Sequence, residues 1–278
     1  MPAGQIGERG EAACAERAPE IAAELAMHFE RGRDWRRAVK YLQLAAENAA
    51  LRFANHEAAT LARCGLDLLK LLPDTVERRH NEFSFQVILG VTLMATRGYA
   101  ATEVEQAYTR ACELYQQMGE PPQLFPALWG LTRLYIVHSP LQRAHELAEQ
   151  LLHIARRERD PYLLMQAYNP LADCLFHLGK FTEARAYLEE GAALEFAPDQ
   201  CRFDVSYLDD PRVLCQIRLA LVLWCLGYPE QGLNRCRVAL TLAEQLAHPF
   251  TLVVGQVFAA TLGTPRRDEL KPVMAAEE

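Results

Sequence analysis

Three groups of residues in this 278-residue chain have types and spacings that could do chemistry. The first group is thiol and imidazole. Cys174 and His177 lie three apart, so on one helix they could touch and form a thiolate–imidazole pair. No oxyanion site or orienting carboxylate accompanies them, so cysteine catalysis is not expected. The histidines (His28, His56, His80, His138, His145, His153, His177 and His248) include no H-E-x-x-H. His145 and His153 could share a helix face, but two ligands do not make a zinc site. Solvated or core histidine is the reading. The second group is the basic run Arg31, Arg33, Arg36, Arg37 and Lys40, beside Trp35 and interrupted by Asp34. It could meet a phosphate or an acidic protein surface, but a solvated helix face at the start of the array is the preferred reading. Arg156, Arg157 and Arg159 read as helix C-terminal charges complementing the macrodipole. The third group is Trp129 and Arg133, then Asn169, Asp173 and His177, then Trp224. Aromatic, cationic and carboxylate groups in one groove suit a peptide or protein segment, held by aromatic burial and charge-assisted hydrogen bonds. The alternative is that Trp129, Trp224 and Phe176 are packing between repeats.

Those groups need a scaffold, and the composition says which kind. Half the residues are hydrophobic, 23% are charged, and the formal net charge is −7. A mostly disordered chain is excluded, and an acidic balance argues against a general nucleic-acid binder. Ala and Leu stand well above ordinary usage, which leans the fold toward all-α. The eight cysteines form no C-x-x-C pair, and six lie among apolar neighbours in helical patterns, as buried free thiols do. Met1 to Glu8 has neither the basic nor the apolar region of a signal peptide. The most apolar stretch, Val213 to Leu226, is short and contains Gln216 and Arg218, so it does not span a bilayer. A cytoplasmic protein with reduced thiols is expected, with no membrane or nucleic-acid partner.

Amphipathic periodicity predicts helices near 19–31, 34–52, 55–71, 75–96, 101–118, 123–138, 140–157, 161–178, 181–194, 211–226, 229–246 and 249–262. Pro73-Asp74, Gly119 to Pro122, Ser139-Pro140, Asp160-Pro161 and His248-Pro249 separate them. Asn55, Thr102 and Thr182 are the expected N-caps. Pro170 falls inside a predicted helix and predicts a kink or a late start. The helices pair, and the pairs repeat. Leu171-Ala172-x-x-Leu175 is followed by Gly179-x-Phe181-x-x-Ala184-x-x-x-Leu188. The skeleton recurs as Leu131-Thr132-x-x-Tyr135 with Leu141, Ala144 and Ala148, and as Leu219-Ala220-x-x-Leu223 with Gly227, Gly232 and Cys236. A front copy reads Leu25-Ala26-x-x-Phe29 with Trp35, Ala38 and Leu42. Small residues let two helices approach, glycine turns the chain, and an aromatic plugs the gap. This is the pattern of tetratricopeptide-like hairpins. The spacing is loose: 40 residues from Ala144 to Ala184 and 48 from Ala184 to Gly232, against roughly 34 in a strict repeat. Phe196 to Asp210 reads as an ordered insertion. The expected organisation is an irregular segment over 1–18, a repeat domain over 19–262 and an irregular tail over 263–278. The expected fold class is all-α, a right-handed superhelical α-solenoid of antiparallel hairpins with a concave face.

A more specific resemblance starts at Ile21 to Glu30 and continues through Gly32 to Glu47. It extends to Asp210–Gln231 and Ala243–Phe250. These blocks resemble the tetratricopeptide arm that follows the ATPase module in bacterial STAND-type signalling ATPases, which often carry a nucleotide cyclase or kinase domain as well. The resemblance implies that first helices line the concave surface, that a protein or inducer binds there, and that an ATPase module in cis is a partner. The chain itself has no G-x-x-x-x-G-K-[ST] loop and no cyclase or kinase signature, so neither nucleotide binding nor any cofactor is expected of it. It reads as an arm without its engine, a fragment, a split gene or a free-standing descendant. The expected function is a non-catalytic interaction or sensor module. A free-standing adaptor or assembly chaperone is the alternative, and an enzyme with a site in the groove is a remote one.

Overall fold

The structure is a computed structural model that describes residues 20–118, 124–138, 140–194, 206–246 and 249–262. The segments read as irregular, 1–18 and 263–278, lie outside the described residues, as does 196–205 of the expected insertion. Among the described residues there are twelve helices and no strand. In chain order they are α1 (Ala22–Arg31), α2 (Trp35–Leu51), α3 (Asn55–Leu69), α4 (Val76–Arg97), α5 (Thr102–Met118) and α6 (Leu124–His138). They continue as α7 (Leu141–Glu158), α8 (Pro161–His177), α9 (Phe181–Ala192), α10 (Pro211–Cys225), α11 (Pro229–Leu246) and α12 (Pro249–Leu262). Each expected helix is present, with ends moved by three residues or fewer.

The caps differ from expectation. Asn55 and Thr102 are the first residues of α3 and α5, and Thr182 lies within α9. An N-cap must stand outside the helical backbone to receive a first-turn amide, and these residues are already inside it. The side chains that do cap are Asp34, Thr75, Asp160 and Asp210, which accept from Arg37 N, Arg78 N, Tyr162 N and Leu163 N, and Arg212 N. Two of them, Asp160 and Asp210, precede a proline at the first helical position, where no amide is wasted. α8 does not start late; it begins at Pro161 and runs through Pro170. Residues 165–172 are all buried, and burial of that stretch outweighs one missing backbone bond.

The described residues fall into two compact units, one within residues 20–138 together with 206–207, the other within 140–194 and 208–262. In the first unit successive helices α1 to α6 pack on one another, and α2, α4 and α6 also touch in a row. α1 packs on α2 in front of that row, so the front copy of the skeleton is a real helix pair but stands out of phase with the alternation behind it. Phe29 of α1 stacks on Tyr41 of α2 with ring centroids 5.5 Å apart. The fully buried Tyr108 ring lies against Gly90 of α4 and Gly130 of α6. A β-carbon at either glycine would fall 2.6 or 2.2 Å from the ring, so only glycine admits this wedge.

In the second unit α8, α10 and α12 form the row of every second helix. The repeat skeleton is its core: Leu171, Ala172, Leu175, Ala184, Leu188, Leu219, Ala220 and Leu223 are buried. Gly179 and Gly227 turn the chain at φ of 75° and 86°, where other residues are strained. Gly232 of α11 lies so close to α10 that a β-carbon would stand 2.8 Å from the Ala220 carbonyl oxygen. The small residues of the skeleton therefore mark the helix contacts, as their spacing implied.

Candidate functional site

On α8, Asn169, Asp173 and His177 recur every four residues and share one face. The structure pairs Asp173 with His177 and with Arg218 of α10, while Asn169 bonds to the backbone of Pro211. Asn169 is 2% exposed, and its Nδ2 donates to the Pro211 carbonyl at 2.8 Å. Arg218 is 7% exposed, and its Nη2 donates to Asp173 Oδ2 at 2.9 Å. Asp173 retains 18% side-chain exposure, and His177, 48% exposed, puts its Nε2 3.7 Å from Asp173 Oδ1. Two atoms of this seam, Asn169 Oδ1 and Arg218 Nη1, are buried without a hydrogen-bond partner. Trp224, one residue before the end of α10, is 42% exposed. At the same end of α8, Phe176 packs on His177 and Phe181, with centroids 5.5 and 5.3 Å apart.

The expected groove residues therefore divide. Asp173 and His177 are paired, Asn169 on the same helix face is buried and bonded to the Pro211 carbonyl, and Trp224 is exposed. Trp129 is not a groove residue. It is 1% exposed and takes the Tyr207 ring edge-on at 5.2 Å, so it is core of the first unit. The sequence set the large apolar indole between two readings, and burial decides for packing. Tyr207 belongs to the expected insertion, whose described end, Tyr207 to Asp209, is buried. Arg133 is half-buried in the first unit, its guanidinium 5.1 Å from the Tyr99 ring centroid and 5.9 Å from that of Trp129. That geometry is a cation–π stack.

Arg218 is the residue that sequence reasoning missed as a site. The signal was present: a lone arginine in the most apolar stretch of the chain, used only to exclude a membrane span. A buried arginine needs an anionic partner, and Asp173 lies 45 positions away in sequence, so periodicity does not connect the two.

The other candidates do not assemble. Cys174 is fully buried, whereas His177 is half-exposed and faces Asp173. Burial pushes the Cys112 and Cys215 thiols up to about 12, far from a reactive thiolate. His145 sits 3.8 Å from Glu149. Among the described residues no three His, Cys, Asp or Glu side chains are placed to hold a metal ion, and no helix is long and apolar enough to cross a membrane. In the basic run, Arg37 pairs with Asp34 at 2.6 Å and lies over the Phe29 ring, and Lys40 lies over Tyr41. Arg159 ends α7 in the left-handed region at φ 55°, and Arg157 pairs with Glu158.

No protein-family model and no curated protein matches the chain. Solved structures do. NprR in complex with its cognate peptide NprX superposes with a TM-score of 0.66 at 12% identity, covering 92% of this chain and 71% of NprR. The apo form of RapI gives 0.60 at 12% identity, over 86% of this chain and 81% of RapI. The TPR-like repeats of a putative kinesin light chain from Podosopora anserina give 0.54 at 16% identity, over 75% of this chain and 96% of that one. The fold is a tetratricopeptide-like helical repeat. At these identities the likeness concerns the fold.

Proposed function

We propose that this chain is a non-catalytic interaction module that binds a peptide or protein segment. The observation that carries the reading is the Arg218–Asp173–His177 cluster on adjacent helices of one row, with Asp173 partly and His177 half exposed. An extended fold likeness to a protein crystallised with its cognate peptide supports it. The recognition surface in the second unit is the α8–α10 face, with Trp224 as an aromatic anchor at its edge. Arg133 with Tyr99 is a separate contact candidate in the first unit. The sequence blocks at 21–47 and 210–250 support the finer reading that the module is the arm of a STAND-type regulator. An arm of that kind works by binding its ligand more tightly in one state of the ATPase than in the other. Panning the purified chain against a peptide library tests the reading. Sequence-selective capture, reduced at least tenfold by Asp173→Ala and Trp224→Ala, is the expected result. A chain that captures no peptide, or that binds ATP stoichiometrically, refutes it.

A further inference from the structure

A hollow of about 290 Å³, its open mouth included, lies between the start of α2, the link from α3 to α4 and the start of α4. Arg36 of α2, Leu72 and Thr75 of the link, and Glu77, Arg78 and Asn81 of α4 line it. Two guanidiniums from different helices therefore face one space that is open to solvent. Neither is fully matched by a neighbouring carboxylate. Among the described residues Arg36 makes no hydrogen bond and no ion pair, and Asp34 near it is bonded to Arg37 at 2.6 Å. Arg78 is held loosely: its Nη1 stands 3.7 Å from Asp74 Oδ1, beyond hydrogen-bond reach. That carboxylate is committed to Arg79, which donates to both of its oxygens at 3.0 and 2.8 Å. Arg78 Nε is buried without a partner, although the side chain as a whole is 24% exposed. A partly desolvated guanidinium without a matched anion lowers stability, so packing alone gives no reason for this arrangement.

The chemistry of the ligand follows from charge and from the number of donors. One guanidinium fork fills both oxygens of a carboxylate. Two guanidiniums on separate helices suit an anion with more charge and more oxygens. A phosphate monoester carries a charge of about −1.5 to −2 and three acceptor oxygens. Asn81 adds a neutral amide that can donate to one of them. The N-terminus of α4 contributes only a supporting field, since Thr75 already receives the Arg78 amide at 3.2 Å. The surroundings indicate what carries the phosphate. Leu72 lines the hollow, and the chain neighbours Leu71 and Val76 are each 58% exposed. A free phosphate ion would leave that apolar rim in water. An anionic membrane surface would meet Asp67, Asp74 and Glu77 around the hollow and a chain of net charge −7. We propose that the hollow binds a phosphorylated side chain of a partner protein. The phosphate bridges Arg36 and Arg78, and an apolar residue next to it packs on Leu71 and Val76. Glu77, exposed on the wall, opposes any anion, so entry requires both guanidiniums.

The test uses the full chain with ¹⁵N-labelled arginine. The buried Arg78 Nε–H gives an NMR signal that Arg78→Lys removes and so assigns. The probes, at matched ionic strength, are N-acetyl-phosphoseryl-leucinamide, N-acetyl-glutamyl-leucinamide, inorganic phosphate, and phosphatidylcholine vesicles containing phosphatidylserine. The expected result is a saturable shift with the phosphoseryl probe, which binds more tightly than the other three. Arg36→Gln should weaken that binding about fivefold, and Glu77→Gln should tighten it about twofold. Both positions are exposed, and a gain in affinity from Glu77→Gln does not arise from a damaged fold. No saturable shift overturns the proposal, as does an equal or tighter response to the glutamyl probe, to inorganic phosphate or to the vesicles. So does an Arg36→Gln protein that binds like the parent. The peptide-binding reading of the α8–α10 face fails or stands separately. Asp173→Ala should leave the phosphoseryl shift unchanged, and a chain that captures no library peptide keeps this site if the shift is present.

Discussion

Gly130→Ala should destabilise the protein although alanine is the better helix former. In an open helix the change would stabilise by about 1 kcal/mol. Here the added β-carbon would lie 2.2–2.4 Å from three atoms of the Tyr108 ring. The ring has no outlet: it is fully buried, and Gly90 faces it from α4, where a β-carbon would stand 2.6 Å away. Relief therefore requires moving a helix. Overpacking of a closed core costs about 1–3 kcal/mol, and a ring held by two helices belongs at the upper end. Subtracting the propensity gain leaves a net loss of about 2 kcal/mol. Urea unfolding of the parent, Gly130→Ala, Tyr108→Leu and the double variant forms a complete cycle. The smaller leucine should accept the methyl, so the double variant should be more stable than the sum of the two single changes by at least 1 kcal/mol (roughly, for side chains in contact). A stabilised Gly130→Ala protein, or additive changes, would refute the wedge.

Tyr108→Phe should raise stability by about 1 kcal/mol, because the Tyr108 hydroxyl is buried without a partner; calorimetry of the two proteins checks this. Asp160→Ala should lower stability by roughly 1 kcal/mol through loss of the cap that receives the Tyr162 and Leu163 amides, read by urea midpoint. At pH 9 and native temperature, iodoacetamide should alkylate the exposed Cys64 and Cys225 and spare Cys112 and Cys215. Burial holds the latter two thiols protonated until the pH approaches about 12, so mass spectrometry showing their rapid modification in folded protein would contradict the packing.

How much of this was legible in the residues varied with the range of the interaction. Helices are set by neighbours three and four apart, and all twelve were readable within three residues at each end. Hairpin contacts were readable because Ala172, Ala184, Ala220 and Gly232 have one physical reason to be small. Caps were less legible. Asn55, Thr102 and Thr182 have capping side chains, but one position of backbone geometry decides whether such a side chain caps or merely starts a helix. The Asp-Pro steps at Asp160 and Asp210 were the better signal.

The candidate site was half visible. Spacing placed Asn169, Asp173 and His177 on one face because that relation is local to α8. It could not sort Trp129 from Trp224, since two tryptophans on amphipathic helices look alike until their neighbours are known. Tyr207 buries the first, and the second remains exposed. Nor could it join Arg218 to Asp173, or leave Asn169 Oδ1 and Arg218 Nη1 without partners. The sequence alone determined an all-helical, acidic chain built from paired helices with small residues at their contacts, because those properties depend on composition and periodicity. Tertiary structure decided which aromatic is core, which charge is paired and where hydrogen-bonding capacity is left over. Those outcomes depend on side chains distant in the chain sharing one desolvated space, where each group's environment is set by its neighbours in three dimensions.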